Sequence, residues 1–216
     1  MRKSQLSIAI GLALLAVSAV HAQGAQGYVG GGVGWTNIAV DCSDIDQCDK
    51  SGTGGKLYAG YRFANRFAVE AVYINWGKAT GQMSESVLLP ANGRVVPLDT
   101  VPITLTESLE LKATGVGIGV AYFMPLATDW NGVARLGAMR TDGKLNLTVS
   151  AQGLSESVSE TKKSTFAYFG LGVGYNLTPN LVLTGEADFS RVKYGFEGEY
   201  ETDNVRLISI GLRYAF

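Results

Sequence analysis

Along most of this chain, large apolar residues recur at every second position. In 181–190, Leu181, Leu183, Gly185, Ala187 and Phe189 alternate with Val182, Thr184, Glu186, Asp188 and Ser190. In 169–177, Phe169, Leu171, Val173, Tyr175 and Leu177 alternate with three glycines and Asn176, and Val116, Ile118, Val120 and Tyr122 alternate with Gly115, Gly117, Gly119 and Ala121. Period two is the mark of a strand with two unlike faces. Read this way, the chain predicts eight strands, at 27–40, 53–63, 67–79, 107–123, 130–147, 163–177, 181–194 and 204–216. Each is near or above the ~9–11 residues that a tilted strand needs to cross a bilayer.

The faces decide what kind of β protein this is. A soluble barrel keeps its large apolar residues inside, where they fill volume. Here the glycines share a face with the charged residues, so the small, polar face suits a crowded concave lumen, and the apolar face looks outward into lipid. Links also alternate in length. Ala64-Asn65-Arg66, 124–129 and Thr178-Pro179-Asn180 are short, whereas 41–52, 80–106, 148–162 and 195–203 are long. An up-and-down barrel with both ends on one side of a membrane predicts that alternation. The expected fold is all-β: a closed, eight-stranded, antiparallel, up-and-down transmembrane β-barrel. Its last strand, 204–216, closes on "GYVGGGVGW" at 27–35, placing Tyr214 and Phe216 in an aromatic girdle at the periplasmic rim.

Composition agrees. Twenty-eight glycines against five prolines, with 46% hydrophobic residues, count against long helices. The start has a different character: Arg2-Lys3, an apolar run from Leu6 to Val20, and small residues in Val20-His21-Ala22 have the layout of a secretory signal. The expected domains are a signal peptide at 1–22 and a barrel at 23–216. Without 1–22, which holds Arg2, Lys3 and His21, the chain has 16 basic and 19 acidic residues, a net charge of −3 and no histidine. That balance offers no basic footprint for nucleic acid. Cys42 and Cys48 suit an oxidising compartment, where a local disulfide is sterically easy.

In "GYVGGGVGW", "YAGYRFANRFAVEAVYINW" (58–76), "YFGLGVGYNLTPNLVLTGEADFSRVKY" (168–194) and the terminal "ISIGLRYAF", the chain resembles the eight-stranded outer-membrane barrels of the OmpA type. The resemblance implies a Gram-negative outer-membrane location after Sec-type export, in contact with outer-membrane lipid and lipopolysaccharide. It implies handling by periplasmic chaperones and the barrel assembly machinery, which would read Ile210, Leu212, Tyr214 and Phe216. It covers the barrel alone, so no peptidoglycan-binding role is carried over. Enzymes among small outer-membrane barrels rely on a histidine, which residues 23–216 lack, so no catalytic residue is expected and the protein is read as a non-enzyme.

The alternation puts Lys56, Arg62, Glu70, Arg135, Glu186, Asp188 and Arg213 in the lumen. Isolated buried charges are costly, so they should pair across neighbouring strands; Glu70 is placed to meet Arg62, and Glu186 or Asp188 to meet Arg135 or Arg213, with register and shear deciding which pairs form. The network reads as a plug. As a pore it would be a narrow one, with pairs that exchange partners. "GVGIG" and "GLGVG" lack the complete dinucleotide fingerprint and no helix follows them, so no cofactor is expected. Asp41, Asp44, Asp46 and Asp49 crowd the cysteine loop but miss the glycine and glutamate of an EF-type site, so no metal is expected. In 80–106, Val87, Leu88, Leu89, Val95, Val96 and Leu98 are too apolar for a solvated loop and suit a β extension or a docking surface. "KLNLTVSA" at 144–151 suits an outward sheet extension. The function expected is structural or surface-interactive: membrane integrity, or adhesion to a host, phage or surface partner through the loops. The alternative is a narrow ion or small-solute pore.

Overall fold

The computed structural model describes residues 26–43, 45–90, 100–151, 154–196 and 198–216, with backbone alone at 85–90 and 100–104. The signal-type segment 1–22, Asp44 and residues 91–99, with Val95, Val96 and Leu98, lie outside the described residues. The strands are β1 (Gln26–Ile38), β2 (Gln47–Asp49), β3 (Ser51–Arg62), β4 (Phe67–Pro90), β5 (Thr100–Pro125), β6 (Trp130–Ala151), β7 (Leu154–Asn176), β8 (Leu181–Phe196) and β9 (Glu199–Ala215).

Every pairing is antiparallel, and the eight long strands form a ring: β1 joins β3 and β9, β3 joins β4, and each strand from β4 to β9 joins the next. The closing pair runs from Tyr28↔Ala215 to Ile38↔Val205, and the Phe216 N–H donates to the Gly27 carbonyl at 2.9 Å. Closure leaves no edge in hydrocarbon, where each unpaired backbone group would cost several kcal/mol. The short β2 is an addition, paired with β4 from Gln47↔Gln82 to Asp49↔Thr80.

The tight turns share one end with Gln26 and Phe216, the first and last described residues. Arg66 adopts a positive φ of 72°, and the Asn65 side-chain oxygen accepts from the Phe67 N–H. Thr178 Oγ1 accepts from the N–H groups of Asn180 and Leu181. Both side chains replace ladder bonds that a short turn cannot make. The aromatic pairs Tyr61–Phe63, Phe67–Tyr122 and Trp130–Tyr175 cluster on the outer surface at this end, and Tyr214 and Phe216 are exposed there too.

At the opposite end the expected long loops are largely strand. β4 and β5 stay in register to Pro90↔Thr100, β6 and β7 to Ala151↔Leu154, and β8 and β9 to Phe196↔Glu199. The strands therefore run past the sequence-predicted boundaries at 79, 107, 147, 163, 194 and 204, farthest on β4, which ends at Pro90, and least on β8, which ends at Phe196, and they continue as sheet where 80–106 and 144–151 suited an extension. Continued alternation drives the extension, with Leu109, Leu111, Leu145 and Leu147 at every second position. One bulge, at Gly77 (φ 74°), inserts a residue between Asn75↔Thr114 and Lys78↔Lys112. It resets the β4 side-chain phase so that Lys78 faces outward.

Candidate functional site

The lumen is built from strands far apart in sequence. On β3, Lys56 lies with its Nζ 2.5 Å from Glu186 Oε2 and 2.7 Å from Asp188 Oδ2, both on β8. On β6, Arg135 donates its Nε to Glu70 Oε2 of β4 at 2.6 Å, and its Nη1 lies 2.9 Å from Glu186 Oε1. Tyrosines complete the shell: Tyr28 Oη donates to Glu70 Oε1 at 2.6 Å, and Tyr168 Oη donates to Asp188 Oδ1 at 2.5 Å. The Arg135 guanidinium stacks 4.8 Å from the Tyr58 ring centre. These charged side chains are all at most 4% exposed. Ions so placed persist only because each meets an opposite charge and a further donor.

Glycines give the tyrosine rings their room. A Cβ at Gly30 would sit 2.3 Å from the Tyr58 ring, and one at Gly60 would sit 2.6 Å from that of Tyr28. Parity alone gives no role to Tyr28, Tyr58 and Tyr168; the signal in the sequence is a large hydroxyl-bearing residue on the glycine-rich face.

The pairing differs from expectation in part. Glu186 does meet Arg135, but Glu70 does not meet Arg62. The register sets Glu70 opposite Gly60 and Arg62 opposite Ala68, one step nearer the turn end, where Arg62 Nη2 donates to Gln26 Oε1 at 2.8 Å. Arg213 meets no carboxylate among the described residues; its Nη2 donates to Asn131 Oδ1 at 2.9 Å. Asp188 meets Lys56 instead of an arginine. Arg62 and Arg213 both stack on Phe123 and border an open vestibule of ≈ 550 Å³ at the turn end.

Above the ion cluster the lumen turns apolar. Ile38, Ile74, Trp76, Met139, Val192, Val205 and Leu207 are buried there and form a layer between the charges and the long-hairpin end. The loop between β1 and β3 lies over that end. Its Cys42 and Cys48 form a disulfide, Ile45 packs on Gly81, and Asp46 Oδ2 accepts from the Ser84 N–H at 3.1 Å. Asp41 and Asp49 accept from the N–H groups of Ser43 and Ser51, so both cap local turns. The hydrogen bonds from Ser43 hold Asp41 below the usual carboxylate range.

The extended hairpins are braced above the apolar band. Tyr200 of β9 donates to Glu160 of β7 at 3.1 Å, and the ammonium groups of Lys162 and Lys193 lie over its ring. Tyr194 donates to Asp203 and Glu201, and burial is the main cause that pushes its hydroxyl pKa up. On the outer wall of β5, hydrogen bonds from Lys112 and Lys78 lower Glu110 from 4.5 to about 2.

Ile210, Leu212, Tyr214 and Phe216 are all exposed on the outer surface of β9 and its end. No curated protein sequence matches the chain. Among solved structures, the chain is similar to Neisserial surface protein A, at 15% identity over 90% of this chain and 100% of that one, with a TM-score of 0.53. It is also similar to Ail, the attachment invasion locus protein of Yersinia pestis (20% identity, 88% of this chain and 98% of that one, TM-score 0.49). The N-terminal β-barrel domain of Pseudomonas aeruginosa OprF follows, at 12% identity over 90% of this chain and 98% of that one, with a TM-score of 0.46. The likeness to Neisserial surface protein A carries the fold and no more. A family model, the outer membrane protein beta-barrel domain, matches residues 7–216. An outer-membrane barrel by lumen, lipid face and aromatic rim, the chain belongs to the outer membrane protein β-barrel domain family.

Proposed function

We propose that this outer-membrane barrel is a closed scaffold that presents a rigid β structure for surface interaction, with its tight turns and termini in the periplasm and its long hairpins outside the cell. The observation that carries the reading is the division of labour along β4 to β7. These strands are 24, 26, 22 and 23 residues long. Crossing the bilayer takes ~9–11 residues. Roughly 12 residues per strand then stand clear of the membrane, ~40 Å measured along the strand.

The filled lumen supports the same reading. The ion cluster formed by Lys56, Glu70, Arg135, Glu186 and Asp188 is a plug that selects one barrel packing, and the apolar layer above it excludes water. Partners engage the hairpins, as loops and extensions on a rigid scaffold commonly do. Export as a signal-bearing precursor, and recognition of Ile210, Leu212, Tyr214 and Phe216 by the assembly machinery, belong to this proposal.

The second reading is a narrow pore, favoured by the open vestibule with Arg62 and Arg213 at its wall. Single-channel recording of the protein in a planar bilayer separates the two. The scaffold predicts silence from a barrel whose heat-sensitive gel migration proves it folded. Frequent openings that shift with Glu186→Ala would establish the pore. Deleting 84–106 and closing β4 to β5 with a two-residue turn should leave the barrel folded and abolish surface binding.

A further inference from the structure

We propose that the vestibule at the turn end of the lumen binds a small oxyanion, a solute that carries a terminal carboxylate or phosphate. Its place on the periplasmic face rests on the orientation given above; the site itself does not. Two guanidiniums left over by the ion cluster make it. Arg62 and Arg213 line the ≈ 550 Å³ vestibule and lie over one ring, 5.5 and 4.8 Å from the centre of Phe123. Neither has a carboxylate at ion-pair distance among the described residues. Each donates instead to a neutral carboxamide oxygen, Arg62 to Gln26 at 2.8 Å and Arg213 to Asn131 at 2.9 Å.

The ion cluster cannot serve as their counter-ion at close range. It sets two cations, Lys56 and Arg135, against three carboxylates, yet all six carboxylate oxygens already lie within 2.9 Å of a hydroxyl, guanidinium or ammonium group. Its one surplus negative charge offsets one of the two arginines from a distance. The other is left to Asp129, an exposed rim residue and the one carboxylate side chain among those that line the vestibule.

Hydrogen bonding makes a sharper demand than net charge. Arg213 is only 6% exposed, and its Nη1 has no hydrogen-bond partner among the described residues. A buried charged donor left unsatisfied is costly. The carboxamide oxygens at the wall are taken: Gln26 Oε1 and Asn131 Oδ1 by the arginines, and Asn176 Oδ1 by Asn131 Nδ2 at 3.0 Å. What the wall still offers is donors, so it calls for a ligand that only accepts, as a carboxylate or phosphate oxygen does. Inward of the arginines, the Phe123 and Tyr28 rings meet edge to face at 5.6 Å, and Tyr28 is tied to Glu70. The vestibule therefore ends at the ion cluster, where it holds a solute rather than passing one.

The test is titration of the purified protein in an uncharged detergent at low ionic strength, which leaves both ends of the barrel accessible. The probes are inorganic phosphate, succinate and, as a neutral control, succinamide. Calorimetry reads affinity, and the side-chain amide resonances of Asn131 and Asn176 report where the anion sits. Phosphate or succinate should bind and shift both resonances, and succinamide should do neither. Binding of phosphate alone would identify a phosphate-bearing solute, and of succinate alone a carboxylate-bearing one. Arg62→Gln should weaken binding about tenfold, the loss of one charge-assisted contact. Asp129→Asn, on the exposed turn, removes the competing carboxylate and should tighten binding several-fold, which no merely structural role would do. Absence of binding by both anions, or indifference to Arg62→Gln in a barrel that still shows heat-sensitive migration, would overturn the proposal. Wild-type protein without that migration would overturn the barrel scaffold and the site with it. Single-channel openings beside intact anion binding would overturn the closed lumen alone.

Discussion

Two regions of one barrel use the same strands with opposite polarity. In the lower part of β9, Ile208, Ile210 and Leu212 face outward and are exposed, while Ser209 and Arg213 are buried. A few residues higher, Val205 and Leu207 are buried and Arg206 faces out. On β8, Glu186 and Asp188 are inside and Phe189 outside below; Val192 and Tyr194 are inside and Arg191 outside above. On β5, Val116, Ile118 and Val120 face out below, and above them Leu111 and Ala113 are buried while Lys112 is exposed. The lower region obeys hydrocarbon as its solvent and the upper region obeys water, so the height at which the faces exchange marks the membrane surface.

The contrast breaks most violently in the ion cluster. Arg135→Ala would leave Glu70 with Tyr28 alone and Glu186 with Lys56 alone. Removing one partner of a buried ion pair costs about 3–5 kcal/mol. Urea unfolding of the vesicle-inserted protein should show a loss of that size. Glu186→Ala should cost less, because Lys56 keeps Asp188 and Arg135 keeps Glu70.

On the outer surface, the same substitution at two heights sharpens the comparison. Ile210→Arg puts a cation against lipid near the middle of the lipid-facing span from Ile208 to Tyr214 and should destabilise by about 2–4 kcal/mol. Asn204→Arg, on the same face of β9 above the exchange, should fall within ~0.5 kcal/mol of wild type in the same unfolding assay.

The smallest effect is electrostatic and confined to the water-facing region. Glu110 has a folded pKa lowered to about 2 from 4.5, so its pairing with Lys78 and Lys112 is fully present above 4.5 and is lost as pH falls toward 2. Stability should decline modestly through that window, and Glu110→Gln should flatten the decline. Exposure of both lysines and 0.5 M salt should shrink it further.

How much of this is legible without coordinates follows from the same two regions. The membrane-crossing parts of the strands read cleanly, because apolar residues hold most outward positions there while the charges and most glycines fall inward. The extensions at 80–106 and 144–151 read as sheet that continues past the loops' start, but their ends do not, because the phase slips where the faces exchange. Adjacent apolar pairs such as Leu207-Ile208 and Tyr73-Ile74 are that slip, with one residue inside and its neighbour outside. The lumen membership of Lys56, Arg135 and Glu186 follows from parity, but partner choice does not. It depends on shear, which brings β3 to β8 and β4 to β6 across the barrel, and on the lumen tyrosines that fill the remaining acceptor positions.

The exchange of faces can be measured directly. A nitroxide placed in turn at each position from 204 to 214 of β9, in vesicle-inserted protein, reports collision with oxygen in lipid and with a water-soluble nickel complex. The account predicts high oxygen access at 208, 210 and 212, high nickel access at 204 and 206, and protection at 205, 207 and 209. Nickel access at 208 and 210, or oxygen access continuing unchanged through 206 and 204, would contradict it.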